Sequence, residues 1–143
     1  MFGMRWIVGL VVVGLVGGMV LLPGASARDI SGTLTAPSGG NPFGGDVVGS
    51  YEITVRGRQV EIEADVSSRA PQGFVYEGWL VDMQTGYKLS LGQLRSGSLE
   101  FEQRMVNPYT YGVLVITIEP ARDLDPNPDA PVAGALLATP FGQ

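Results

Sequence analysis

Tyr51-Glu52-Ile53-Thr54-Val55-Arg56-Gly57-Arg58-Gln59-Val60-Glu61-Ile62-Glu63-Ala64-Asp65-Val66 decides the fold class of this chain. Tyr51, Ile53 and Val55 alternate with Glu52, Thr54 and Arg56. Val60, Ile62, Ala64 and Val66 alternate with Gln59, Glu61, Glu63 and Asp65. A period of two with apolar residues on one face marks half-buried antiparallel strands. Between the runs, Gly57-Arg58 fits a two-residue hairpin turn with glycine first, the type II′ preference.

Downstream the same grammar continues. Phe74 to Met83 is a third run, nearly continuous in apolar residues through Gly78-Trp79-Leu80-Val81, which predicts a central strand covered on both faces. Gln84-Thr85-Gly86 turns the chain, and Tyr87, Leu89 and Leu91 alternate with Lys88 and Ser90. Leu99, Phe101, Gln103 and Met105 alternate with Glu100, Glu102 and Arg104. Tyr111 to Ile118 is a second continuous apolar run, rich in β-branched residues. Val132 to Ala138 reads as a last strand, and Thr139 to Gln143 as a fraying tail. No helical period follows the N-terminal segment. The expectation is an all-β antiparallel sandwich, Ig-like, of about seven or eight strands.

Upstream, residues 28–50 are rich in Gly, Ser, Pro and Thr and read as an arm, with one short strand at Ile30–Thr35. The domain proper is expected over 51–138, with 139–143 as its tail. Residues 1–27 are a leader. One basic residue, Arg5, precedes the uncharged run Trp6–Leu22, and Pro23-Gly24-Ala25-Ser26-Ala27 follows. That order is a secretory signal, cut after Ala27, or an uncleaved membrane anchor forming an N-terminal hydrophobic helix. Gly14 and Gly18 form a G-x-x-x-G pair through which two membrane helices can approach. Either version places the domain outside the cytoplasm.

Composition narrows the chemistry. The chain has 14 acidic and 9 basic residues, no histidine and no cysteine. An acidic chain with one lysine has no cluster to track a phosphate backbone, so no nucleic-acid partner is expected. Without His or Cys there is no Ser-His or Cys-His nucleophile pair and no soft metal ligand. No cofactor is expected. Stability must come from packing and backbone pairing, since no disulfide can form.

Three stretches resemble the C-terminal extracytoplasmic domain of anti-sigma-K factors: Glu77-Gly78-Trp79-Leu80-Val81-Asp82, Leu91-Gly92-Gln93-Leu94, and Val115-Ile116-Thr117-Ile118-Glu119-Pro120. Ala130-Pro131-Val132-Ala133-Gly134 is similar to that family's closing strand. The resemblance spans roughly residues 50–138 and implies a β-sandwich outside the membrane. Only about five residues precede the apolar run, so no sigma-binding domain is expected, and Ala121-Arg122-Asp123 replaces the family's glycine-rich turn.

Candidate sites follow. Asp123, Asp125, Asn127 and Asp129 recur at every second position, an oxygen-rich loop of the kind that binds calcium. An EF-hand is not matched, because Pro128 and Gly134 stand where that loop needs glycine and glutamate. The competing reading is a solvated, proline-stiffened connector. Glu61, Glu63 and Asp65 share one strand face: a carboxylate set for glycoside hydrolysis, or a charged face that discourages edge pairing. Among the aromatics, Trp79 reads as core, while Tyr109 and Tyr111 flank a loop and are candidates for partner contact. The leading expectation is a non-enzymatic envelope binding or accessory module with a protein partner. The alternative is a structural subunit, either anchored in a membrane complex through residues 6–22 or secreted and polymerising by strand addition from residues 28–50.

Overall fold

The computed structural model describes residues 27–122, 124–125 and 127–143. Residues 1–26 of the leader, with Gly14 and Gly18, and residues 123 and 126 lie outside the described residues. Eight strands follow one another: β1 (Ala27–Thr35), β2 (Val47–Arg56), β3 (Gln59–Val66), β4 (Phe74–Val81), β5 (Lys88–Gln93), β6 (Ser98–Arg104), β7 (Val113–Pro120) and β8 (Ala130–Leu136). A 3-10 turn, Pro108–Thr110, interrupts the pattern. Among the described residues no helix is long and apolar enough to cross a membrane.

The alternating stretch forms the hairpin its residues demand. Tyr51 pairs with Ala64, Ile53 with Ile62 and Val55 with Val60, so the apolar members of both strands face one side. The positive φ falls on Gly57, at 61°, and not on Arg58, as glycine's freedom at the first turn position requires.

All pairings are antiparallel, in the order β5-β4-β7-β8-β1-β2-β3-β6. Two four-stranded halves result. Between β8 and β1 they share one register pair, Thr35 with Gly134. The outer edges β5 and β6 are brought together by residues 94–97, where Leu94 N–H donates to Tyr76 O and Val66 N–H donates to Gly97 O, both across 2.8–2.9 Å. The sheet is therefore nearly closed. Its inner face holds Leu34, Ile53, Ile62, Leu80, Leu114 and Ile116, all fully buried. The halves press closely: a methyl added at Gly78 of β4 would stand 2.7 Å from Leu99 Cδ2 of β6.

Two expectations change here. Residues 28–50 are not a separate arm. β1 pairs with β2 from Ala27 opposite Arg56 to Thr35 opposite Val47, so its hydrogen bonds lie inside its own sheet. Local composition hid this, because the strand is Gly/Ser/Thr-rich and its partner supplies the ladder. The tail is also fixed. Phe141 is buried, and Gly142 N–H donates to Tyr109 O across 2.8 Å and to Tyr111 O across 3.0 Å.

Candidate functional site

Strand pleating gives each half an outer face, and the two are chemically opposite. On β2, β3 and β6 the outward residues include Glu52, Glu63 and Glu100, which stand directly opposite one another across the three strands. Glu61 faces Glu102 in the neighbouring row, and Asp65 faces Ser98, whose hydroxyl donates to it. Arg56 reaches Glu61 at 3.5 Å, and Gln59 Nε2 donates to Glu102 across 2.6 Å. A shallow hollow of about 490 Å³ lies over Glu61, Glu63, Glu100 and Glu102. Among the described residues no three acidic side chains come together to hold a metal ion.

The outer face of β4, β7 and β8 is apolar over the end of β4 and the start of β7 and polar beyond. Val75, Glu77, Trp79 and Val81 alternate outward on β4, against Val113, Val115, Thr117 and Glu119 on β7. Val81 lies in one row with Val113 and Leu136 of β8. Val113 is buried, Val81 and Val115 are half-buried, and Leu136 is 67% exposed. Phe43, in the β1–β2 loop, lies over Gly134: a methyl there would come within 2.4 Å of its ring.

Trp79 is buried, yet it belongs to this outer face and stands apart from the inner core. Its indole Nε1–H donates to Thr117 Oγ1 across 2.9 Å, and the Thr117 hydroxyl donates to Glu119 Oε1. The same Glu119 oxygen accepts the Asp129 backbone N–H at 2.9 Å. Glu119 is only 3% exposed. A buried carboxylate needs such donors, because an unsatisfied one carries its full desolvation cost. The arrangement latches the β7–β8 loop to the sheet beside Trp79. A concavity of about 480 Å³ opens next to the latch, lined in part by Glu77, Trp79, Tyr87, Lys88, Ser90 and Glu119. Ser90 Oγ donates to Glu77 Oε1 across 2.6 Å.

This network joins two stretches that the sequence singles out separately, around Trp79 and around Thr117-Ile118-Glu119. The sequence signal for Trp79 was its apolar run. Trp79 is buried, as that run implies, but the run does not say which face the side chain takes, and the structure places it on the outer one.

Asp82, at the end of the Trp79 stretch, organises the β4–β5 turn. Its Oδ1 accepts the N–H of Gln84 and of Thr85, and its Oδ2 accepts the Thr110 hydroxyl at 2.7 Å. These bonds, led by that of Thr110, lower its pKa to about 2.

Of the predicted calcium-loop residues, Asp125, Asn127 and Asp129 are described. Asp125 Oδ1 accepts both the backbone N–H and the side-chain amide of Asn127, at 3.0 and 2.8 Å. Asp129 contributes its backbone to the Glu119 latch. Tyr111, predicted as a contact residue, is buried, and burial raises its phenol pKa. Tyr109 is half-buried, its ring edge-on to Phe141 at 5.3 Å. The broadly exposed tyrosine is Tyr87, 59% exposed and 6.4 Å from the Tyr111 ring. Its place in a turn beside Gly86 was the available signal. In comparisons with family models, curated proteins and solved structures, none matches this chain.

Proposed function

We propose that this protein is a non-enzymatic contact module of the cell envelope, exported by its leader, that meets a protein partner through the outer face of β4, β7 and β8. The observation that carries this reading is the apolar strip of Val81, Val115 and Leu136 beside the Trp79 concavity. Water-facing sheet faces normally alternate to polar side chains, as the opposite half does. An outward apolar strip rimmed by polar groups such as Glu77 and Lys88 has the composition of a protein contact surface.

The latch supports the same reading. It holds Trp79 and the β7–β8 loop in one shape before any partner arrives, which lowers the ordering cost of association. The absence of His and Cys from the sequence weighs against most nucleophilic chemistry in the concavity. For the fold we propose an Ig-like sandwich. The order β5-β4-β7-β8 follows the C′-C-F-G sheet of that architecture, and β2-β3-β6 follows A-B-E. β1 is then an added strand ahead of A.

The test is co-purification of the full chain from gently solubilised membranes. A defined partner should accompany the wild type and be lost from Leu136→Asp, with the melting temperature of that variant kept. A lone monomer in the wild-type preparation would reject the reading.

A further inference from the structure

The strand order sends alternate connections to opposite ends of the molecule. One end gathers the start of β1 at Ala27, the Gly57-Arg58 turn, the Asp82–Tyr87 turn, the connection 105–112 and residues 137–143. The other gathers the connections 36–46, 67–73, 94–97 and 121–129.

Charge separates along this axis although the chain as a whole is acidic. The Ala27 end carries Arg56, Arg58, Lys88 and Arg104, all exposed. Asp82, the acidic residue of its described loops, is buried and bonded to Thr110. Glu61, which meets Arg56, lies two residues in from this end, in one row with the exposed Asp29 of β1 and Glu102 of β6. The opposite end carries Asp46, Asp65, Asp125 and Asp129 against Arg69, Arg95 and Arg122. Large apolar side chains also stand free at the basic end: Val106 is 87% exposed, Met83 69% and Tyr87 59%. The three side chains project from two connections, two from the Asp82–Tyr87 turn and one from 105–112.

Such a combination suits an anionic lipid surface. Basic side chains gain from anionic headgroups, while tyrosine and short apolar side chains favour the interfacial layer. The position of Ala27 adds an independent argument. The uncharged run Trp6–Leu22 ends five peptide steps before Ala27, a reach of at most about 18 Å. A bilayer that holds the run therefore keeps this end near its surface.

We infer that the Ala27 end is a membrane-docking tip, with Met83, Tyr87 and Val106 entering the headgroup layer and Arg58, Lys88 and Arg104 pairing with anionic lipid. The inference rests on the anchored version of the exported module proposed above. It orients that module: the acidic end points away from the membrane, and the apolar face of β4, β7 and β8 stands roughly upright, open to a neighbour in the same envelope.

The chain has no cysteine, so single cysteines can be placed cleanly. Full-length Val106→Cys and Ser38→Cys variants, each carrying an environment-sensitive fluorophore, are reconstituted into phosphatidylglycerol-containing vesicles with headgroup-level spin-labelled lipid. The expected result is strong quenching at position 106 and little at 38. Adding Arg58→Glu and Arg104→Glu to Val106→Cys should lower the bound fraction of the tip by roughly fivefold or more for each charge reversed. Pure phosphatidylcholine vesicles should weaken docking similarly. Equal, weak quenching at 106 and 38, in protein that floats with the vesicles, would overturn the tip while leaving the anchor intact. Strong quenching unaffected by charge reversal or lipid charge would overturn the electrostatic part of the inference. Protein that does not float removes the anchor, and the tip falls with it. Docking at position 106 in wild-type protein that co-purifies with no partner would reject the protein-contact reading and leave this one standing.

Discussion

The two outer faces of this sheet are built by one rule and end as opposites. From Tyr51 through β3 alternate residues face the core and, Thr54 apart, the others turn outward, so Glu52 and Glu63 stand in the open. On β4 and β7 the inward set is equally apolar, but the outward set is Val81, Val113 and Val115 with Trp79 latched among them. The first half thus needs only its core. The second half has a partly covered apolar face, which the Glu119 latch and Phe43 cover in part and which leaves Leu136 exposed. A continuous apolar strand in a sequence announces two faces that avoid water. It does not announce what covers the second.

Substitutions should separate the faces cleanly. The largest effect is expected at Trp79. Trp79→Ala should cost about 3–5 kcal/mol, because it removes a large buried ring and frees Thr117 and Glu119. Glu63→Ala on the other half should stay within about 0.5 kcal/mol. Chemical denaturation of the two variants checks the pair, and comparable losses would break the contrast. Next in size, Thr117→Val keeps the shape but deletes the hydroxyl between indole and carboxylate. About 1–3 kcal/mol should be lost, with the melting curve shifted down and the β7–β8 loop cut faster by protease.

The acidic half should respond to salt instead. Glu52, Glu63 and Glu100 stand directly opposite one another, an unfavourable cross-strand arrangement. Glu63→Lys should stabilise by about 0.2–1 kcal/mol at low ionic strength, and the gain should shrink in high salt. Unchanged gain in 1 M salt would mean that packing, not charge, is responsible.

The end of β4 offers a pH test. Asp82 is held near a pKa of about 2 by Thr110 and by the N–H groups of Gln84 and Thr85. Its pKa in the unfolded chain is about 3.9. A depressed folded value means that the stabilisation is fully present above the unfolded pKa. It is lost as pH falls toward 2. Asp82→Asn should therefore flatten the stability of the protein between about pH 4 and pH 2 relative to wild type. Parallel pH profiles for the two proteins would contradict the turn's role.

Much of this was legible from alternation alone. The β2–β3 hairpin is set by local pattern and one glycine, so residues 51–66 could be read directly. The set of strands followed likewise. β1 was legible only in part: Ile30–Thr35 reads as a short strand, but Ser31, Gly32 and Thr33 carry no apolar stripe, so its full extent and its place beside β2 come only from the pairing. The order of strands was hidden for the same reason. The contacts of β3 with β6 and of β4 with β7 depend on residues far apart in sequence. In the candidate site, Trp79 and Glu119 were visible as unusual residues. Their connection through Thr117 required the register between β4 and β7. Tyr111 was misread because a loop-flanking tyrosine looks exposed until the chain end, with Phe141, folds back over that corner.

The central claim is that the apolar outer face of β4, β7 and β8 meets a partner and the acidic face does not. Co-purification from gently solubilised membranes, run in parallel on wild type, Leu136→Asp and Glu63→Lys, tests it directly. The account predicts that the partner stays with wild type and with Glu63→Lys and leaves Leu136→Asp, all three melting alike within a few degrees. Retention by Leu136→Asp, or loss from Glu63→Lys, would contradict it.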